Sequence, residues 1–394
     1  MKKNAFRRTL ALCLVLVLVV FAFASCGGAN QTDGVSTAPA TGSGIETGSG
    51  SQTDGNPYKG TTLTVYNWGE YISDGSEGSL DVVKEFEKTY GIKVKYDYFS
   101  TNEELYAQLK NGASYDVVIP SDYMIERLIS EDLIQTFDHS DLQNYHYIAD
   151  EYRGLYFDPT DAYSVPYSVG MVGIVYDTTK VSEEIIAEQS WSLLWSQDFE
   201  TGDLINMNNP RDAFGITMCY LGIDVNTTNS ADWQRTYEKL REQDCIYLMD
   251  EIYNKMENGV SAAAAYYAGD CLQMMQENED LAFYYPKEGT NIFVDSMCIP
   301  KSAKNVGAAK LFIDFMLDPE IATENANYIC YASPNVAVRT NPDYDYHEGT
   351  DEYAILYELP ESYKEDPSRM QYYHNLDDAT QNWLNDYWLE LGLD

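Results

Sequence analysis

The chain has 394 residues, 63 of them acidic and 25 basic, for a formal net charge of −38. That balance argues against a nucleic-acid binder, which would carry basic patches. It is compatible with a cationic ligand, and equally with plain solubility in an acidic habitat.

Lys2, Lys3, Arg7 and Arg8 precede an apolar stretch over residues 10–23. A charged start followed by so short an apolar run reads as a signal peptide over residues 1–25, not as a membrane span. It ends in Phe23-Ala24-Ser25-Cys26, with two glycines following. Small residues before a cysteine resemble a bacterial lipobox, with Phe23 where Leu is usual. On that reading Cys26 is the first mature residue and carries acyl chains. The alternative is an ordinary secretory signal with a chance cysteine. Residues 26–57 are Gly, Ser, Thr and Asp with almost no apolar side chains, a composition that serves as a tether. About 335 residues remain, more than one hydrophobic core commonly supports, so two domains are expected. No second apolar run reaches membrane-spanning length.

The body begins with a short strand at 62–66. Leu80, Val83, Phe86, Glu87 and Tyr90 then fit one helix face, with Gly91 as its stop. Residues 92–99 alternate like a strand. The stretch 101–112 opens with a Thr101/Glu104 capping box and closes on Asn-Gly. "YDVVIP" (115–120) is a β-branched run suited to a strand buried on both faces, and a helix follows near 122–131. This βαβαβα order implies a parallel sheet with right-handed crossovers. Residues 163–178 read as a glycine-containing strand crossing between lobes. A second α/β stretch covers about 179–285, with "SWSLLW" (190–195) leading into a helix and strand-loop-helix units at 204–222 and 261–276. Residues 281–300 read as two strands, and 302–317 as an amphipathic helix with Pro319 past its end. The last helix lies near 376–391. No internal repeat is present.

Cys219, Cys245, Cys271, Cys298 and Cys330 lie beyond the tether. Their odd number and wide spacing exclude a full disulfide framework and argue against a zinc site. Burial as small hydrophobes is expected. None of the four histidines falls in a His-Glu-x-x-His array, and no nucleophile elbow, P-loop or dinucleotide fingerprint occurs. A binding protein, not an enzyme, is the reading, with no cofactor and no metal.

In open α/β sheets ligands bind beyond the carboxyl ends of strands. Those ends carry Trp68/Glu70/Tyr71, Ser121/Tyr123, Asn209/Arg211/Asp212, Tyr267/Asp270, Phe293/Asp295 and Tyr331/Asn335. Ring faces attract cations and pack methylenes, and carboxylates bind ammonium groups through charge-assisted hydrogen bonds. An alkyl diamine or polyamine, apolar between charged ends, would suit such a set. Each ring taken singly is as well explained by core packing, and Asp122 and Asp270 by helix capping. Asp295 stands out, because it interrupts an apolar strand where an unpaired carboxylate is unfavourable.

"YNWGEYI", "GIKVKYDYFSTNEELYAQL", "YDVVIPSDYMIERL", "YSVPYSVGMVGIVYD", "PKEGTNIFVDSMCIPKSAKN" and "YASPN" occur in that order. From about Leu63 onward the chain resembles the periplasmic spermidine/putrescine-binding proteins, substrate receptors of polyamine ABC importers. The resemblance implies an α/β two-lobed clamp of the periplasmic-binding-protein type (type II), each lobe a mixed, mostly parallel sheet flanked by helices. Lobe one would be 58–169 plus 294–344, and lobe two 170–293 plus 345–394. The family's ligand contacts would fall on Trp68, Tyr71, Ser121, Tyr123, Tyr267, Phe293, Asp295 and Tyr331, with Asp295 as the main salt bridge to an amine. An acidic pair in lobe two would fall on Asn209 and Asp212, and a last polar contact on Gln371. Asn209 replaces an acid there, which implies a preference for putrescine over spermidine. The partners implied are a polyamine, the permease of an ABC importer and the membrane through the lipid anchor. The location implied is the outer face of the cell membrane, and the state a monomer.

Three rival readings use the same residues. A ferric-ion receptor of the same clamp class would use Tyr266 and Tyr267 as phenolates, though a strand sends such neighbours to opposite faces. A sugar or phosphonate receptor would call for more cationic loops than Arg211 suggests. A carboxylate-dyad glycosidase needs two acids at fixed separation in one cleft.

Overall fold

The computed structural model describes residues 56–392; the expected leader, Cys26 and all but the end of the tether lie outside the described residues. Ten strands are present among them: β1 Thr62–Trp68, β2 Lys93–Phe99, β3 Val117–Val118, β4 Ser164–Asp177, β5 Leu204–Met207, β6 Ile246–Leu248, β7 Ala263–Tyr267, β8 Leu281–Tyr284, β9 Thr290–Cys298 and β10 Met370–Gln371. They join in the order β2-β1-β3-β9-β4-β7-β5-β6, with β10 on β9 and β8 on β4. β1 pairs in parallel with β2 and β3, and β5 with β6 and β7. The antiparallel pairs all involve β4 or β9. The expected α/β clamp with mixed, mostly parallel pairing is therefore present, and the long β4–β9 ladder joins its two sides into one continuous sheet.

Local chemistry explains the elements. Asp81 caps helix Val82–Tyr90, which ends at Gly91 with φ 66°, the left-handed conformation glycine adopts without strain. Thr101 accepts from the Glu104 amide at 3.1 Å. The Glu104 carboxylate returns to the amide of Ser100 at 3.0 Å, one residue before the partner a capping box would use. Pro319 does stop the helix Val306–Met316, and it also opens the next, Pro319–Ile329, where Asp318 accepts from the amides of Glu320 and Ile321. Two expectations shift. "YDVVIP" forms only two residues of strand: β3 pairs with β1 at Val117 and Val118 and with β9 at Val118 alone. "SWSLLW" is itself a short 3-10 helix, Trp191–Trp195.

Buried side chains collect on either side of the shared ladder. Trp191, Phe214 and Trp233 centre one core, built from residues between 172 and 284 with Tyr373, Leu384 and Trp388. Phe86 and Phe312 centre another, drawing on 63–167 and 293–331. Cys219, Cys271, Cys298 and Cys330 are buried free thiols, as expected, while Cys245 is half-buried. None of the helices among the described residues is long and apolar enough to cross a membrane.

A buried carboxylate ties the segment after residue 300 to the first sheet. Asp116 accepts from the amide of Thr64 at 2.9 Å in β1 and from the amides of Lys304 and Asn305, at 2.9 and 2.8 Å, just before helix Val306–Met316. Replacing Asp116 with Ala leaves these donors without their acceptor. The expected loss is about 2–4 kcal/mol, since each unmatched buried donor costs about 1–3 kcal/mol and some readmit water. Urea unfolding of Asp116→Ala against the parent measures it.

Candidate functional site

The site is assembled where β1, β4 and β9 end or cross. After Trp68 the backbone takes a left-handed step at Glu70, φ 50°, and Tyr71 turns inward and is buried. Its hydroxyl donates to Asp295 Oδ2 at 2.8 Å and also bonds the Ser168 hydroxyl. Asp295 lies in β9 directly opposite Ser168 of β4, and Ser121 forms an isolated bridge with Asp295 from the far side. Asp295 Oδ1 is buried with no hydrogen-bond partner among the described residues. Burial pushes the Asp295 carboxyl up to about 6, and the hydroxyls of Ser121 and Tyr71 pull the other way.

A row of rings runs from Tyr71. Its ring meets Tyr331 edge-on at 5.1 Å between centroids. Tyr331 is 6.4 Å from Phe293, and Phe293 is 5.5 Å from Tyr267, again edge to face. Two glycines make this row possible. A Cβ on Gly170 would lie 2.4 Å from the Phe293 ring, and one on Gly269 would lie 2.4 Å from the Tyr331 ring.

Acids hold the phenols. Asp270 accepts from Tyr253 at 2.5 Å and from Tyr331 at 2.6 Å. It is not the helix cap that its position suggested; it sits inside the first turn of helix Ala268–Glu277. Asp212 accepts from Tyr267 at 2.7 Å, with Tyr373 as a further partner. Burial pushes both carboxyls up to about 6 against the pull of those hydroxyls. The buried Arg211 guanidinium lies over Tyr373 at 4.5 Å and donates to Asn226 and to the His374 carbonyl. Asp122 is buried too, and it accepts from the amides of Tyr123 and Val294 instead of capping its helix. Burial raises its carboxyl well above the usual range.

Seven of the residues singled out in the sequence thus form one connected cluster: Tyr71, Ser121, Asp295, Tyr331, Phe293, Tyr267 and Asp212. Tyr123 stands at its margin, its hydroxyl bonded to Asn102 and Glu103 and its ring 6.3 Å from Tyr373. Trp68 leans on Phe99 at 4.5 Å, with a buried indole N–H that has no partner among the described residues. Asn209 uses its side-chain oxygen to cap helix Pro210–Leu221. Glu70 is exposed. Gln371 accepts from the amide of Val225. The residues not foreseen are Tyr253, Ser168 and Tyr373, and Asp270 was noted at a strand end but read as a cap. For Asp270 the signal was present: it follows Tyr267 at a strand end, behind a glycine. No group of three or more His, Cys, Asp or Glu among the described residues could hold a metal ion.

A two-lobed α/β clamp with a ring-and-carboxylate cluster at its crossing strands defines a receptor for small solutes. Residues 113–353 match the model of the bacterial extracellular solute-binding protein family, and the chain belongs to that family. It is 33% identical over 283 residues to the spermidine/putrescine-binding periplasmic protein of Salmonella typhimurium, covering 71% of this chain and 79% of that one. It is 30% identical over 310 residues to a putrescine-binding periplasmic protein of Escherichia coli, covering 71% and 82%. The solved spermidine/putrescine ABC transporter substrate-binding protein of Streptococcus pneumoniae superposes with a TM-score of 0.69 at 30% identity, over 84% of this chain and 99% of that one.

Raised carboxyls make a stability prediction with a definite sign. Asp212, Asp270 and Asp295, each near 6, hold protons in the native state at pH values where the unfolded chain, near 4, has lost them. Their contribution to stability is present below about pH 4 and is lost as pH rises through about 6. Melting temperature without ligand is therefore expected to rise between pH 7 and pH 5. Asp295→Asn, neutral throughout, should flatten that slope, which thermal melts across the range would show.

Proposed function

We propose that this protein is an extracytoplasmic receptor for a short polyamine, with putrescine preferred over spermidine, and that it hands its ligand to the permease of an ABC importer. The observation that carries the reading is Asp295 Oδ1, a buried carboxylate oxygen without a donor beside the Tyr71–Tyr331 pair. A buried carboxylate lacking a donor is unfavourable, and a protonated amine supplies both the charge and the hydrogen. The relatives' names point the same way. On this reading Trp68, Tyr71, Phe293, Tyr267 and Tyr331 are the aromatic walls, with Ser121 and Tyr123 at the rim. Lobe one is 58–169 plus 294–344, lobe two is 170–293 plus 345–394, and closing them keeps water from the ion pair.

The preference for a diamine rests on where the acids are. Asp295 and Asp270 each bind the hydroxyl of one member of the Tyr71–Tyr331 pair, so two carboxylates flank two adjoining rings. Asp212 already has the Arg211 guanidinium for company, and Asn209 is neutral and engaged as a cap. That end of the site offers little to a third ammonium. The ferric alternative fares worse, because Tyr266 and Tyr267 are neighbours on β7, and a strand sends neighbours to opposite faces. No enzymatic activity is part of the proposal, and Cys26 serves as the lipid anchor on the outer membrane face.

Titration calorimetry with putrescine, cadaverine, spermidine and Fe(III) tests it. Putrescine is expected to bind tightest. Asp295→Asn should weaken it by about 2–5 kcal/mol, the range for removing one partner of a buried charge pair. Markedly tighter spermidine binding overturns the preference, and the absence of binding by any amine overturns the receptor reading.

A further inference from the structure

Ser168 lies behind the site, and nothing above gives it a task. It is buried in β4 directly across from Asp295, just past the shift in register that follows Pro166. Its hydroxyl bonds the Tyr71 hydroxyl, and that same phenol reaches Asp295 Oδ2. A phenol carries one proton, and an ionised carboxylate can only accept. The Tyr71 proton must therefore point at Oδ2, so Ser168 is the donor and the Tyr71 oxygen the acceptor. An O–H whose oxygen accepts a bond becomes a better donor, because hydrogen bonds in a chain polarise one another. The Ser168 bond accordingly pulls the Tyr71 phenol down, against burial and the Asp295 charge, which push it up.

We propose that Ser168 is a positioning residue for amine capture: by donating to Tyr71 it strengthens the phenol's bond to Asp295 Oδ2, which leaves Oδ1 as the acceptor presented to the ammonium. The proposal rests on the amine-receptor reading. Without Ser168 the Tyr71 hydroxyl is a weaker donor, and Asp295 holds its own proton more firmly. The other groups facing Asp295 do not substitute for it. Tyr167 gives its proton to the Tyr71 carbonyl, the Ser121 hydroxyl acts on the Asp295 carboxylate directly and not through Tyr71, and the neighbouring Asp122 would add like charge, offset in part by Arg211.

The test is putrescine affinity by calorimetry from pH 5 to pH 8. Ser168→Ala is expected to weaken binding about three- to tenfold at pH 7, the worth of one hydrogen bond. It should also move the acid limb of the binding profile upward by about half a unit, because Asp295 becomes harder to ionise. Ser168→Thr restores the hydroxyl and should restore both. In a Tyr71→Phe background Ser168→Ala should add no further loss, since the group it works through is gone. Thermal melts check that each variant is folded, and Ser168→Cys, a weak donor, replaces the alanine variant if that one does not fold. A Ser168→Ala profile that superposes on the parent's, or an equal loss in the Tyr71→Phe background, overturns the proposal alone. A parent protein that binds no amine overturns the receptor reading and the proposal with it.

Discussion

A carboxylate must be kept usable where water does not reach it: that requirement at Asp295 organises the centre of this protein. One oxygen is satisfied by Tyr71, and the other is not. Tyr71 comes from the turn after β1, Ser121 from the start of the third helix, and Asp295 and Ser168 from the two crossing strands. Four separate stretches of chain thus converge on one acid. An isolated charge at such depth would be strongly unfavourable. Its proton affinity rises in consequence, which leaves it poised to exchange a proton for an ammonium.

The crossing ladder lets one acid serve both sides of the clamp. β4 pairs with β9 on one side and with β7 and β8 on the other, and β9 continues through β3 to β1, so groups on this ladder sit at the junction. Around that axis side-chain bonds add to backbone bridges such as Val169 with Ala332. Asp270, at the start of helix Ala268–Glu277, grips Tyr331 from the segment after helix Pro319–Ile329. Gly269 permits the close approach, since any side chain there would meet the ring. Such bonds are individually modest, and on the receptor reading proposed above a ligand that adds contacts shifts the balance between arrangements.

Much of this was legible in the residues. Period-two and period-3.6 patterns, with Gly91, Thr101 and Pro319 as punctuation, located the first sheet's elements nearly to the residue. Strand ends followed by aromatic-acid pairs pointed at Tyr71, Tyr267, Phe293 and Asp295. Asp270 was misjudged because an acid in the first turn of a helix is ordinarily a cap, and the phenols that claim it come from residues 17 earlier and 61 later. Ser168 was passed over because a serine in a buried strand carries no signal until its register partner is known. Asn209 could be placed at a helix start, but only the fold shows its side chain spent on capping.

By itself the sequence determined the succession of strands and helices and the kinds of group at each strand end, because those depend on neighbours a few residues away. Only the tertiary structure decided which acids share a ring, which carboxylate oxygen lacks a donor and which serine stands behind Asp295. Those facts depend on the register of β4 against β9 and on contacts between residues as far apart as Tyr71 and Asp295. A shift of one residue in that register would turn every such side chain to the opposite face, and no local pattern records it.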